Sequence, residues 1–140
     1  MFSVRIRNMM ELEKMVTTPS QTSVSDAAQL MASARVGAVM VVDSEKLVGI
    51  FTERDAVFRV IAPGLEPRTT NLADVMTPSP LTVDPERSFG FALQLMHEHG
   101  FRHVPVVEND RPVGIVSARD ALDPEMEDFI CEAQRREGIR

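Results

Sequence analysis

Cysteine is almost missing from this chain: Cys131 is the only one, so no intrachain disulfide and no site of several thiolates can form. Long apolar runs are missing too, and nothing approaches the roughly 20 residues that span a bilayer. Met1 to Met10 lacks the apolar core of a signal peptide, so the expectation is a cytoplasmic protein away from membranes. Positive charge is in deficit, with 15 Lys and Arg against 21 Asp and Glu, a net charge of −6. That balance argues against nucleic acid held through the overall surface and against a polybasic membrane patch. It leaves room for a small anionic ligand, which needs only a local positive site. No nucleophile–base pair, glycine-rich phosphate loop or metal cluster can be assembled, so an enzyme is not expected.

What the chain does have is repetition. Gly49-Ile50-Phe51-Thr52-Glu53-Arg54-Asp55 returns 65 positions later as Gly114-Ile115-Val116-Ser117-Ala118-Arg119-Asp120. Aligning 23–56 with 88–121 gives 14 identities in 34 pairs, including Gln29-Leu30-Met31 with Gln94-Leu95-Met96. A second echo, Ile6 to Met10 against Leu72 to Met76, lies 66 positions apart. Self-similarity at a fixed period is the primary architectural signal. At 140 residues the chain fits one domain or two small halves sharing a core, and a half alone would be marginal.

Residues 1 to 14 read as a short extended or helical lead-in. Ser23, with Asp26 three positions on, opens a helix from Val24 to Arg35 whose apolar face is Val24, Ala27, Ala28 and Met31. Val39 to Val42 and Leu47 to Thr52 are strands around a turn at 43–46, and a helix follows from Glu53 to about Ile61. After a polar linker, Leu81 to Val83 is a short strand and Ser88 to His99 a helix. Val104 to Val107 and Pro112 to Val116 form the second hairpin, and a last helix runs from about Ala118 to Glu137. Each unit reads strand–helix–strand–strand–helix. A hairpin with two helices leaves apolar faces uncovered, so the copies should pack sheet to sheet about a pseudo-two-fold axis. The expected division is 1–65, linker 66–71, 72–123, and a closing helix over 124–140. That helix carries a stripe of Met126, Phe129, Ile130 and Ala133, fit either to its own domain or to a second copy.

With Asp74-Val75-Met76-Thr77-Pro78 opening the second copy, Arg102-His103-Val104-Pro105-Val106-Val107 on its hairpin, and Gly-apolar-apolar-Thr/Ser-x-x-Asp closing both, the unit resembles the cystathionine-β-synthase (CBS) domain. The pair resembles a Bateman module, of the small stand-alone bacterial type, over residues 5 to 122. The resemblance implies an α/β (α+β) fold and a regulatory role. It implies an adenosine-containing ligand (AMP, ADP, ATP, S-adenosylmethionine or NAD) in clefts between the copies, no required cofactor, and a homodimeric disc. It also implies that the motif aspartate holds the ribose and that the motif Thr or Ser lies near phosphate. With no catalytic or DNA-binding segment in these residues, an unidentified partner protein or the chain's own oligomer would receive the signal. The competing expectation is an interaction module whose clefts take no nucleotide.

Two readings apply to Thr52-x-x-Asp55 and Ser117-x-x-Asp120. Both are capping-box patterns, worth about 1 kcal/mol per cap. Both also suit a ligand, since a helix start presents unpaired N–H groups to phosphate and an acid one turn in can accept from ribose hydroxyls. Arg54 and Arg119 are candidate phosphate partners by guanidinium geometry. Arg102 and His103 have Gly37 and Ala38 as counterparts, and Pro105 has Met40, so the clefts are expected to differ. The stronger site is expected to use Arg102, His103, Ser117, Arg119 and Asp120, beside Val104, Pro105 and Thr82. The weaker is expected to use Thr52, Arg54, Asp55 and Val39, with Glu53 opposing phosphate. His97-Glu98-His99 lacks the spacing of a zinc motif and reads as a solvated helix end.

Overall fold

Strand β2 (Ala38–Asp43) turns back into β3 (Lys46–Thr52), and in the second copy β5 (His103–Glu108) turns back into β6 (Arg111–Ser117), in a computed structural model that describes residues 3–10 and 15–120. Asp43 pairs with Lys46 and Glu108 with Arg111, which leaves two-residue loops. Both loops are left-handed throughout, with φ of 51° and 66° at Ser44 and Glu45 and 54° and 66° at Asn109 and Asp110. Such loops match the right-handed twist of the strands they join. Both ladders slip by a residue at equivalent places, between Val41 and Val42 and between Val106 and Val107. The repeat is therefore carried into the irregularities as well as the regular elements. The expectations for the closing helix, its apolar stripe and Cys131 lie outside the described residues.

Helices α1 (Val24–Ala34) and α4 (Phe89–His99) begin alike. The Ser23 hydroxyl accepts the Asp26 N–H at 3.1 Å and the Ser88 hydroxyl accepts that of Phe91 at 3.2 Å. Both end on a left-handed residue, Arg35 and Gly100. Val24, Ala27 and Met31 are buried, as are Phe89, Ala92 and Met96, while Ala28, expected on the same face, is exposed. The helix after β3 starts as α2 (Glu53–Asp55) and continues in wider π turns over Ala56–Ile61, closed by the Ala62 N–H on the Val57 carbonyl at 2.9 Å. Val60 enters the core from these turns, and Arg59 donates to the Met76 carbonyl at 2.9 Å.

Strand β1 (Thr17–Thr18) pairs in parallel with β2 and is reinforced by the Met40 N–H on the Val16 carbonyl at 2.9 Å. The second copy departs from the strand expected over 81–83. Only Val83 bridges, in parallel, to Val106. The counterpart of Met40 is Pro105, which has no N–H to give, so the equivalent bond to Leu81 is missing and the strand shrinks to one bridge.

The lead-ins are exchanged between the halves. Ile6 is buried with Val83, Phe89, Ala92 and Val104, in the core of the second copy. Its N–H donates to the Arg87 carbonyl at 2.9 Å, and Arg7 pairs with Glu86 and Glu108. Leu72 and Val75, in the short helix α3 (Leu72–Val75), are buried with Val24, Met31 and Phe51 in the core of the first copy. The Leu72 N–H donates to the Thr22 carbonyl at 2.9 Å, and β4 (Thr77–Pro78) pairs with β3. Met10 lies on Gly114 and Met76 on Gly49, so closely that a Cβ at either glycine would collide with the methionine sulfur. The division at 1–65 and 72–123 follows the sequence repeat. The packing divides the chain otherwise, each half being completed by the segment that precedes the other.

The hairpins meet through β3 and β6, the equivalent strands of the two copies, so the pseudo-two-fold axis runs between them. Their turns touch as well, through the Leu47 N–H on the Asp110 carbonyl at 3.3 Å and the exposed Arg111–Glu45 ion pair at 3.1 Å. The result is a mixed α/β fold of two packed repeats. Because lead-in residues are core residues here, Ile6→Ala and Leu72→Ala should each cost about 2–5 kcal/mol in urea unfolding. A loss under 1 kcal/mol for both would contradict the exchange.

Candidate functional site

The motif residues stand where each hairpin ends and the chain turns into a helix. In the first copy the capping box is complete. The Thr52 hydroxyl accepts the Asp55 N–H at 3.2 Å, and the Asp55 carboxylate accepts the Thr52 N–H at 3.0 Å. Asp55 is only 7% exposed and also faces Arg59 at 3.5 Å. In the second copy the Asp120 carboxylate accepts the Ser117 N–H at 2.8 Å, and Asp120 is half-buried.

Two clefts open beside these turns. The first, of about 450 Å³, brings together Arg102, His103, Ser117, Arg119 and Asp120 against Ile115 of β6. The second, of about 660 Å³, brings Thr52, Arg54, Asp55 and Arg59 against Ile50 of β3. Both volumes fall in the range of small-molecule sites, about 300–1,000 Å³. All five residues expected at the stronger site share the first cleft. Thr52, Arg54 and Asp55 share the second.

Gly37, Glu53, Arg102 and His103 line both clefts. The arginine–histidine pair, expected at the stronger cleft, lines the second cleft as well. It stands in the wall between them, because β5 enters beside the first copy's Gly37, so the difference between the clefts comes from other residues.

Four expected residues line neither cleft. Val39 and Val104 are fully buried in the two cores. Pro105 is buried in β5, and Thr82 is exposed beside the single bridge that replaces its strand. Arg35 lines the first cleft, and Arg59 and His99 the second, although the sequence pattern did not select them. Arg35 carried one signal: it stands at the position of Gly100, where a left-handed helix end favours glycine. His99, expected to be merely solvated, stacks on Phe101 with ring centroids 5.7 Å apart. Arg54 lies over the Phe58 ring at 5.3 Å, a cation–π contact that competes with any phosphate role.

Burial pushes the His103 imidazole below its ordinary range, and Arg102 pushes the same way. Glu53 and Asp120 pull in the opposite direction without overcoming the burial. The ring thus stands in the shared wall near two carboxylates, with burial disfavouring its charged form.

The family model of the CBS domain matches residues 6–62 and 72–125. Meiotically up-regulated gene 70 protein of Schizosaccharomyces pombe is 44% identical over 113 residues, 80% of this chain and 15% of that protein. The chain spans 15–21% of the length of the first curated relatives it matches. Among solved structures, an uncharacterized conserved protein from Pyrococcus horikoshii superposes with a TM-score of 0.81 at 31% identity, covering 89% of this chain and 94% of that one. A CBS domain protein from Pyrobaculum aerophilum, complexed with AMP, superposes with a TM-score of 0.76 at 26% identity, covering 84% and 89%.

Two measurements probe these turns. Asp55→Ala should cost about 1–3 kcal/mol in chemical unfolding, because it strands the Thr52 N–H. The His103 shift has a pH signature. Its folded value lies below the unfolded value of about 6.5, so the stability linked to the neutral ring is complete above that pH. That stability is lost as pH falls from there through the folded value. Unfolding curves at pH 7.5, 6.5 and 5.5 should show a steeper loss for the unaltered chain than for His103→Gln, and parallel curves would contradict the burial effect.

Proposed function

The chain belongs to the CBS domain family, and from that premise we propose that it is a regulatory module taking an adenosine-containing ligand in the clefts between its repeats. AMP, ADP and ATP are the favoured ligands, with S-adenosylmethionine and NAD as the other adenosine compounds of suitable shape. The observation that carries this reading is the first cleft, where Arg102, His103, Ser117, Arg119 and Asp120 converge from a strand start and a strand end. The AMP complex of the Pyrobaculum aerophilum relative supports the ligand class.

In this reading Asp120 accepts from the ribose hydroxyls. Arg102, Arg119 and a His103 protonated on binding face the phosphate, and Ser117 adds its hydroxyl. Thr52, Arg54 and Asp55 form the weaker site. Binding shifts the balance between two shapes or assemblies only by the difference in affinity for them, so the response is regulatory and not catalytic. We place the response in a homodimer, or in a partner protein that reads its shape. The closed capping box around Asp55 favours a second reading for the second cleft, a structural role without nucleotide.

Calorimetric titration with AMP, ATP, NADH and S-adenosylmethionine tests the proposal. At least one should bind, and at 100 times its dissociation constant should add about 2.7 kcal/mol of stability. Asp120→Ala should weaken that ligand roughly 10- to 150-fold, the weight of a charge-assisted hydrogen bond of about 1.5–3 kcal/mol. No heat with any of the four, or an unchanged affinity in the variant, would refute the assignment.

A further inference from the structure

Glu53 stands where the two clefts meet. Its N–H is held on the Gly37 carbonyl at 3.0 Å. Its carboxylate lies over Gly37, where an added Cβ would strike the Glu53 Oε1 and stand 3.4 Å from Cε1 of His103. Gly37, having no side chain, leaves room for Glu53 and His103 to approach the same part of the wall. The second copy has Ala118 at the position of Glu53, so this wall is not charged symmetrically about the pseudo-two-fold axis. Glu53 lines both clefts, as do Arg102 and His103.

We propose that Glu53 determines ligand specificity in both clefts: set against Arg102 and His103 in the shared wall, its carboxylate biases the module toward adenosine compounds of low negative charge and against polyphosphates. The inference rests on the adenosine reading of the clefts and narrows it, setting AMP above ADP and ATP among the nucleotides named there. A ligand filling either cleft lies against this wall, so negative charge added to the ligand is repelled by the same carboxylate. In a solvated cleft that repulsion is modest per unit of charge and grows with the number of charges. The groups facing His103 are Glu53 and Asp120, which favour its charged form, and Arg102, which opposes it. Glu53 therefore also holds part of the pull that a phosphate would exert on the ring.

The test is Glu53→Gln in the full chain, titrated calorimetrically with adenosine, AMP and ATP at 0.1 M salt, an ionic strength with a Debye length of about 10 Å. Adenosine affinity should stay within about twofold, AMP should tighten roughly threefold, and ATP roughly tenfold or more. An equal gain for all three ligands, or no gain, overturns the proposal while leaving the adenosine reading intact. Failure of all three to bind the unaltered chain and the variant overturns both. A second measurement needs no ligand: in an NMR titration the His103 ring should lose its proton at lower pH in Glu53→Gln than in the unaltered chain. An unmoved titration would mean that Glu53 does not face His103, and the proposal falls on that result alone.

Discussion

Each half of this protein is finished by a segment that the chain delivers from the other side. Ile6 completes the core built on Phe89 and Val104, and Leu72 completes the core built on Phe51 and Val41. The glycine that opens each motif makes the exchange possible, because Met76 and Met10 occupy the space a side chain would take at Gly49 and Gly114. Methionine suits the task, being unbranched and able to fill an irregular gap. Neither half can bury its apolar surface without the other's lead-in, so the seam between the halves is as well defined as the cores. Clefts placed along such a seam inherit its geometry.

The wall between the clefts follows from the same arrangement. Because β3 and β6 lie together at the pseudo-two-fold axis, the turns that follow them and the residues that precede β2 and β5 are gathered at one end. Equivalent positions then meet near the axis, and differences between the copies are concentrated in the wall that both clefts share. Gly37 and Ala38 against Arg102 and His103 is one such difference, and Glu53 against Ala118 is another. A repeat that keeps the register of its hairpins and varies here produces two clefts with a common frame and a charged partition.

Much of the fold was legible because the repeat constrained it twice. The serine caps, the helices over 24–34 and 89–99, and both hairpin turns follow from local pattern, and each copy corroborates the other. The exchange of lead-ins was not legible, since a repeat aligned to itself says which segments are equivalent but not which half each one covers. Ile6 and Leu72 look alike in sequence whether they pack at home or across. The missing strand at 81–83 was legible in principle, because Pro105 announces a lost donor opposite Leu81. The family resemblance instead sets the proline beside a ligand. The shared position of Arg102 and His103 depends on how two hairpins sit side by side, which no local pattern encodes, and the same holds for His99 and Arg59 at the second cleft.

The two aspartates show one motif at two degrees of burial. Asp55 is 7% exposed, holds the Thr52 N–H and faces Arg59, so its carboxylate is engaged within the first copy. Asp120 holds the Ser117 N–H from a half-buried position on the wall of a cleft, where a hydroxyl can approach from solvent. In the proposed binding mode a ribose hydroxyl would share the Asp120 carboxylate with the Ser117 N–H, and a carboxylate has about four lone-pair sites. In that mode the cap would orient the acid toward the cleft, and the stability of the turn and the affinity for the ligand would be linked through one carboxylate.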